Sequence, residues 1–221
     1  DLLRQEVGRA GYAEMLTHGL CSTAENFSLL RRPLGPAVSL SNPANMEYEV
    51  VRTSLLPGAL KTLAFNKALS HKDGVQLFEI SDVVLPELNE VGARNERRLV
   101  ALHAAHSSAF ETVHGLLDRV MAAAQIQPEA GYAANSLTPD EIASARRVAR
   151  GGLEYSLKPS DEPCYFPGMR VDVILTTDKG GPLQNALKIG SLGVVHPEVL
   201  ANFEVVYPCT VLEVNLEPIM H

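Results

Sequence analysis

Tryptophan is absent from the 221 residues, so no large aromatic platform for stacking a base or a sugar can be argued. Only three cysteines occur, Cys21, Cys164 and Cys209, far apart and without a CxxC pair. Neither a zinc ribbon nor a disulfide framework follows, and this usage fits a reducing compartment, the cytoplasm. No apolar run approaches the ~18 residues that cross a membrane, and no signal peptide is evident, so no membrane partner is expected. Positive charge is not in excess: 19 Lys+Arg stand against 26 Asp+Glu, a formal net charge of -7. A domain built chiefly to grip nucleic acid leans basic. Walker loops, G-x-G-x-x-G fingerprints and G-x-S-x-G elbows are also missing, which removes the commonest phosphate-cradling and nucleophile signatures.

What is present is an ordinary globular composition, 46% hydrophobic and 20% charged, and enough length to bury a real core. The chain starts in helical register without an initiator Met, which reads as a piece cut from a longer polypeptide. Leu2, Leu3 and Val7 form one side of an opening helix that Gly8 and Gly11 end. Residues 12–22 alternate as a strand, and a helical turn follows with Thr23 as its cap. Residues 37–43 read as a short strand stopped at Asn42-Pro43. Leu56, Leu60 and Leu63 place a helix over residues 54–69, capped by Ser54 with Pro57 in its first turn.

"VQLFEISDVVL" and "ERRLVALHAAH" are strands whose short polar link implies an antiparallel pair. Residues 110–126 carry Val113, Leu116, Leu117, Val120 and Met121 on one helical face. A hairpin turning at residues 178–181 and a last strand, "TVLEVNL", complete the pattern. Helices mixed with antiparallel strands predict an α+β fold rather than a doubly wound parallel sheet. The whole of residues 1–221 reads as one module, with a flexible surface insertion at 138–162, where Pro, Gly and charges cluster.

The chemical candidates are few. His103 and His106 have HxxH spacing but follow a strand and lack a third ligand nearby, and His18 and His114 stand alone, so no metal site is assigned. "KIGSLGVVHPEVL" pairs Gly190 and Gly193 with His196 and Pro197. A phosphate cradle needs N–H groups converging on a helix start. Here two β-branched residues intervene before Pro197, so the glycines read as allowing close strand approach and His196-Pro197 as the hinge from strand to helix. Glu79 would lie on a central strand and needs a buried partner, for which Arg52 is the candidate. "ARRVAR", with Arg146, Arg147 and Arg150, reads as a solvated helix face; within a surface insertion it is instead a possible tRNA contact.

Five stretches in this order, "NPANMEYEVVRTSLLPGALKTLAFN", "LFEISDVV", "ETVHGLLDRVM", "YFPG" and "GSLGVVHPEVLANFEV", resemble the β subunit of phenylalanyl-tRNA synthetase, of the eukaryotic and archaeal cytosolic type. The resemblance covers nearly the whole chain and points to the C-terminal catalytic-like module of that subunit. It implies a class II aminoacyl-tRNA synthetase-like fold, an antiparallel sheet flanked by helices, whose opening helix and strand match the region that builds subunit interfaces in this class. It also implies an α2β2 phenylalanine–tRNA ligase in which the α subunit binds ATP, magnesium and phenylalanine. Editing of mischarged tRNA would belong to an upstream domain outside this chain.

Catalytic residues are not expected here. Amino-acid activation must stabilise charge on a phosphate with placed arginines and a carboxylate-held metal. Where the class places its first such arginine, this chain has Glu79, Ser81 and Asp82, and no arginine ends "GSLGVVHPEVLANF". No cofactor is therefore assigned to this module. One departure from the family lies after Gly168, where Met169 stands in the place of an arginine and Arg170 follows, on the opposite face of a strand. The alternative reading is a stand-alone protein- or tRNA-binding module on a synthetase fold, without ligase context.

Overall fold

The computed structural model describes residues 1–66, 74–129, 153–177 and 186–220. Helix α1 (Leu2–Arg9) packs beside α4 (Phe110–Ala123), and α3 (Leu56–Phe65) lies elsewhere, with two short helices, α2 (Thr23–Asn26) and α5 (Pro197–Asn202). The strands are β1 (Ala13–Glu14), β2 (Leu20–Cys21), β3 (Val50–Val51), β4 (Val75–Pro86), β5 (Ala93–Ala104), β6 (Gln127–Pro128), β7 (Leu153–Pro159), β8 (Tyr165–Thr177), β9 (Leu187–Val195) and β10 (Cys209–Asn215).

Eight of them form one sheet in the order β1-β4-β5-β10-β9-β8-β7-β6, and β2 pairs with β3 separately. The six central strands are antiparallel to one another, and the two-residue edge strands β1 and β6 pair in parallel with β4 and β7. The α+β expectation and the antiparallel β4–β5 pair hold, because a six-residue polar link cannot carry a crossover.

Alternate strand residues enter two separate cores. On one face Phe78, Ile80, Leu99, Ala101, Leu212 and Val214 pack with Val7 of α1 and Val113, Leu116, Leu117, Val120 and Met121 of α4. On the other, Val83, Val100, Leu102, Val195 and Val211 pack under Leu56, Ala59, Leu60 and Leu63 of α3 and Val199 of α5. The sheet is thus a wall between two apolar layers. The residues that alternate with Phe78 and Ile80, and with Leu212 and Val214, share the α3 face: Glu79, Ser81 and Glu213.

Several local expectations change. Residues 12–22 are not one strand, since only β1 and β2 are extended in pairing; Arg52 takes the carbonyls of Thr17 and His18 instead of a neighbouring strand. The cap of α2 is Ser22, not Thr23: its hydroxyl accepts the Glu25 N–H while Glu25 accepts the Ser22 N–H, a reciprocal capping box. Gly8 lies inside α1, which ends as the chain reaches Gly11 at φ +96°. Residues 37–43 keep only a single bridge, Ser39 to Val50.

The helix expected over 54–69 spans Leu56–Phe65, and residues 67–73 lie outside the described residues. Its backbone cap is Leu55, and the Ser54 hydroxyl, though it accepts the Leu56 N–H, donates to Glu213. The insertion proposed for 138–162 is wrong in its last part. Residues 153–159 are strand β7, paired antiparallel with β8, because Tyr155 and Leu157 alternate into the α4 core. Residues 138–152, with Arg146, Arg147 and Arg150, lie outside the described residues, as does the 178–181 turn between β8 and β9.

Candidate functional site

Three polar groupings interrupt the apolar layer under α3. The first is built around Arg52, which leaves β3 and is 6% exposed. Its Nη1 donates to Glu79 Oε1 at 3.1 Å and to Thr17 Oγ1 at 2.8 Å, its Nη2 to Ser81 Oγ at 2.7 Å and its Nε to the Asp82 carbonyl at 3.1 Å. The Thr17 hydroxyl in turn donates to Glu79 Oε2 at 2.6 Å. Glu79 is 1% exposed, and such a carboxylate needs this degree of satisfaction. The expected Arg52–Glu79 pair is therefore in place, and both its members are fully engaged by the protein.

Above this network lies a cleft of about 550 Å³, lined by Leu16, Tyr48, Arg52, Lys61 and Phe65 among others. Thr17 reaches the network only because residue 58 is glycine. A Cβ there would stand 2.5 Å from Thr17 Oγ1. The "LPGAL" start of α3 held this signal, a glycine inside an otherwise strong helix.

The second grouping centres on Glu213 of β10, 5% exposed. It accepts from the Ser54 hydroxyl (2.6 Å), the Leu55 N–H (2.9 Å) and Arg98 Nη1 (3.3 Å). Burial pushes its carboxyl up, but the guanidiniums of Arg98 and Arg32 and the two hydrogen bonds more than reverse this, so its pKa lies below the usual carboxylate value. Sequence reasoning missed Glu213. Its only signal is a single charge within "TVLEVNL", a strand that is otherwise uncharged and buried on both faces.

The third grouping is the glycine stretch. Gly190 and Gly193 both lie in β9, and each serves close packing rather than a loop. A Cβ on Gly193 would sit 2.5 Å from Tyr165 Cγ, and one on Gly190 would overlap the Glu213 carbonyl oxygen. Tyr165, wholly buried, thus packs closely against the strand at Gly193, its hydroxyl 3.4 Å from Ser191 Oγ. Gly168 takes φ +81°, at the irregularity that shifts β8 against β9 between Tyr165 and Arg170. Arg170 donates to the Glu162 carbonyl (3.0 Å) and approaches Asp161 (3.4 Å). His196 caps α5 by accepting the Glu198 N–H on Nδ1, with Pro197 in the first turn.

The structure therefore brings Arg52 and Glu79 together, sets Gly190 and Gly193 on one strand, and holds Gly168, His196 and Pro197 at a bulge and a hinge. The cysteine thiols are buried and unreactive: burial raises Cys21 to about 11 and Cys209 to about 12, and Cys164 higher still. His103 lies near Gln76 and His106 packs edge-on to Tyr207.

Among solved structures, a pyrrolysyl-tRNA synthetase from Desulfitobacterium hafniense superposes with a TM-score of 0.64 over 99% of this chain and 66% of its own, at 14% identity. That likeness establishes the class II synthetase fold. In sequence the chain is 39% identical over 99% of its length to the phenylalanine–tRNA ligase β subunit of Drosophila melanogaster. It is 38% identical to the cytoplasmic phenylalanine–tRNA ligase β subunit of Arabidopsis thaliana and 35% identical to the phenylalanine–tRNA ligase β subunit of Homo sapiens, over 100% of its length in both cases. It spans about a third of the length of these curated relatives, 33% in each. The family model for the phenylalanyl-tRNA synthetase β chain CLM domain matches residues 1–216. With family model and relatives in agreement along the whole sheet, the chain belongs to the phenylalanyl-tRNA synthetase β-chain family as its CLM domain.

Proposed function

We propose that this chain is a non-catalytic structural and interface module of a cytoplasmic phenylalanine–tRNA ligase, in which a partner α subunit holds ATP, magnesium and phenylalanine in an α2β2 assembly. The observation that carries the reading is how the polar groups under α3 are used. Transfer chemistry at a phosphate requires arginines free to meet developing charge. Arg52 is instead bound to Glu79, Ser81 and Thr17, and Tyr165 lies on the glycine strand. A buried carboxylate such as Glu79 on this face repels a polyphosphate.

An interface role is supported by Leu16 and Phe65. Both are 90% exposed, and both line the cleft above Arg52. Leu16 lies two residues beyond the end of β1, the edge that the resemblance assigns to subunit contact. Large apolar side chains gathered at one cleft are the common mark of a protein interface. The test is co-purification of the full-length protein with the α subunit. Wild type is expected to assemble and the Leu16→Glu/Phe65→Glu variant, with its unfolding midpoint unchanged, to lose at least tenfold in affinity. A monodisperse wild-type protein that ignores the α subunit would favour the stand-alone module instead. A tRNA contact through Arg146, Arg147 and Arg150 belongs to the same proposal. Replacing all three by Gln would then weaken tRNA binding and flatten its salt dependence, and unchanged binding would return them to a solvated face.

A further inference from the structure

A second cleft, of about 410 Å³, opens on the α3 face where that helix no longer covers the sheet. Its floor is β5, β10 and the start of β9, and its walls bring together Arg32, Arg94, Arg98 and Lys188 with Glu96, Glu162 and Glu213. Mixed charge of this kind suits no polyanion. Which charges are already engaged decides what it does suit.

Two of the carboxylates, Glu96 and Glu213, are close to saturated. Glu213 accepts from Ser54, Leu55 and Arg98. Glu96, 4% exposed, accepts Arg94 Nη2 at 2.6 Å and is forked by Arg98 through Nε and Nη2, each at 2.8 Å. Arg94 and Arg98 are taken up by these carboxylates, but Arg32 and Lys188 are not saturated. Arg32 donates from Nε to Glu162 Oε1 at 2.8 Å, and its Nη2 has only a long contact, 3.9 Å, to Cys164 Sγ. Its Nη1 has no acceptor among the described residues, although its side chain is only 20% exposed. A guanidinium carries five N–H donors and no acceptor, so Arg32 keeps most of its donors for something else. Lys188, 49% exposed at the rim, contacts Asp172 at 2.8 Å and retains further N–H donors.

Among the residues that line the cleft, Glu96 and Glu213 hold Arg98, whereas Arg32 and Lys188 keep N–H donors that no described acceptor takes. We propose that the cleft binds one small oxyanion, the carboxylate or phosphate of a soluble small molecule, with Arg32 as the anchor and Lys188 at the rim. Planar guanidinium against a planar or tetrahedral oxyanion is the pairing this geometry favours. The neighbouring carboxylates exclude highly charged ligands such as a triphosphate and so set the specificity. This does not rest on the interface reading above, since the cleft is used whether or not the chain assembles.

The test is equilibrium binding of inorganic phosphate and, separately, of succinate to the full-length protein, comparing wild type with variants so that any site elsewhere cancels. One site per chain is expected to weaken at least tenfold in Arg32→Gln and two- to threefold in the rim variant Lys188→Gln, which leaves the fold intact. Glu162→Gln, which removes a competing carboxylate beside Arg32, is expected to bind as tightly or more tightly. Preference for phosphate or for succinate identifies the source of the oxyanion. Affinity for both probes unchanged in Arg32→Gln and Lys188→Gln overturns the proposal. So does a loss of binding in Glu162→Gln, which would mean a ligand held by its positive end.

Discussion

The two faces of the sheet are built from the same strands and do opposite things with them. Towards α1 and α4, Phe78, Leu99, Leu212 and the α4 stripe form a core of hydrocarbon. Towards α3, the alternate residues of those strands include Glu79, Glu96, Arg98 and Glu213, each buried or nearly so and each in an ion pair. Hydrocarbon stabilises by area and tolerates substitutions that keep volume. A buried ion pair contributes little net stability, but removing one partner leaves the other charged and unsatisfied. The first face holds the fold together; the second specifies which groups meet which.

The contrast can be broken by mutation, and the largest effect is expected on the polar face. Arg52→Met should destabilise by about 3–5 kcal/mol, because Glu79 is left buried without its cation. The Arg52→Met/Glu79→Leu pair should recover most of that loss. Denaturant unfolding of the single and double variants reads both, and a double variant as unstable as the single one would show that the pair itself stabilises. On the apolar face, Leu117→Ala, at a wholly buried site, should cost about 2–5 kcal/mol, and no second substitution of opposite charge should rescue it.

Glu213→Gln should cost about 1.5–3 kcal/mol at neutral pH, the scale of hydrogen bonds to a charged group. Its folded pKa is depressed, so the carboxylate's contribution is complete above the unfolded-state value, about 4.3, and is lost as pH falls through the folded one. The gap in unfolding midpoint between wild type and Glu213→Gln should therefore narrow on acidification. A gap that widened would reverse the sign. The smallest effect is at Gly190→Ala, about 1–3 kcal/mol of overpacking against the Glu213 backbone.

The same division explains what could be read in the sequence. Periodicity exposed the apolar face: the α4 residues named from their spacing are the buried ones, and the β4–β5 pair follows from its short link. It even revealed Glu79, since a carboxylate in a central strand demands a partner. Periodicity is blind to polar residues whose partners are remote. Glu213 meets Ser54 and Leu55 across more than 150 positions, and Thr17 reaches Glu79 across 62. Ser54 looked like a helix cap because a local hydrogen bond is the only one that sequence spacing can propose. Strand β7 was missed for another reason: glycine and charge at the flanks of residues 153–159 outweighed the alternation of Tyr155 and Leu157.

Arg52, Glu79 and Glu213 under α3 are engaged by the protein's own groups, and the proposed function gives them no adenylate chemistry to perform. Phenylalanine-dependent ATP–pyrophosphate exchange, measured on the full-length protein purified away from any α subunit and again after adding it, tests this most directly. No exchange is expected without the α subunit, and exchange is expected on reconstitution, insensitive to Glu213→Gln once assembly is matched. Exchange by the protein alone, abolished by Glu213→Gln, would overturn that assignment.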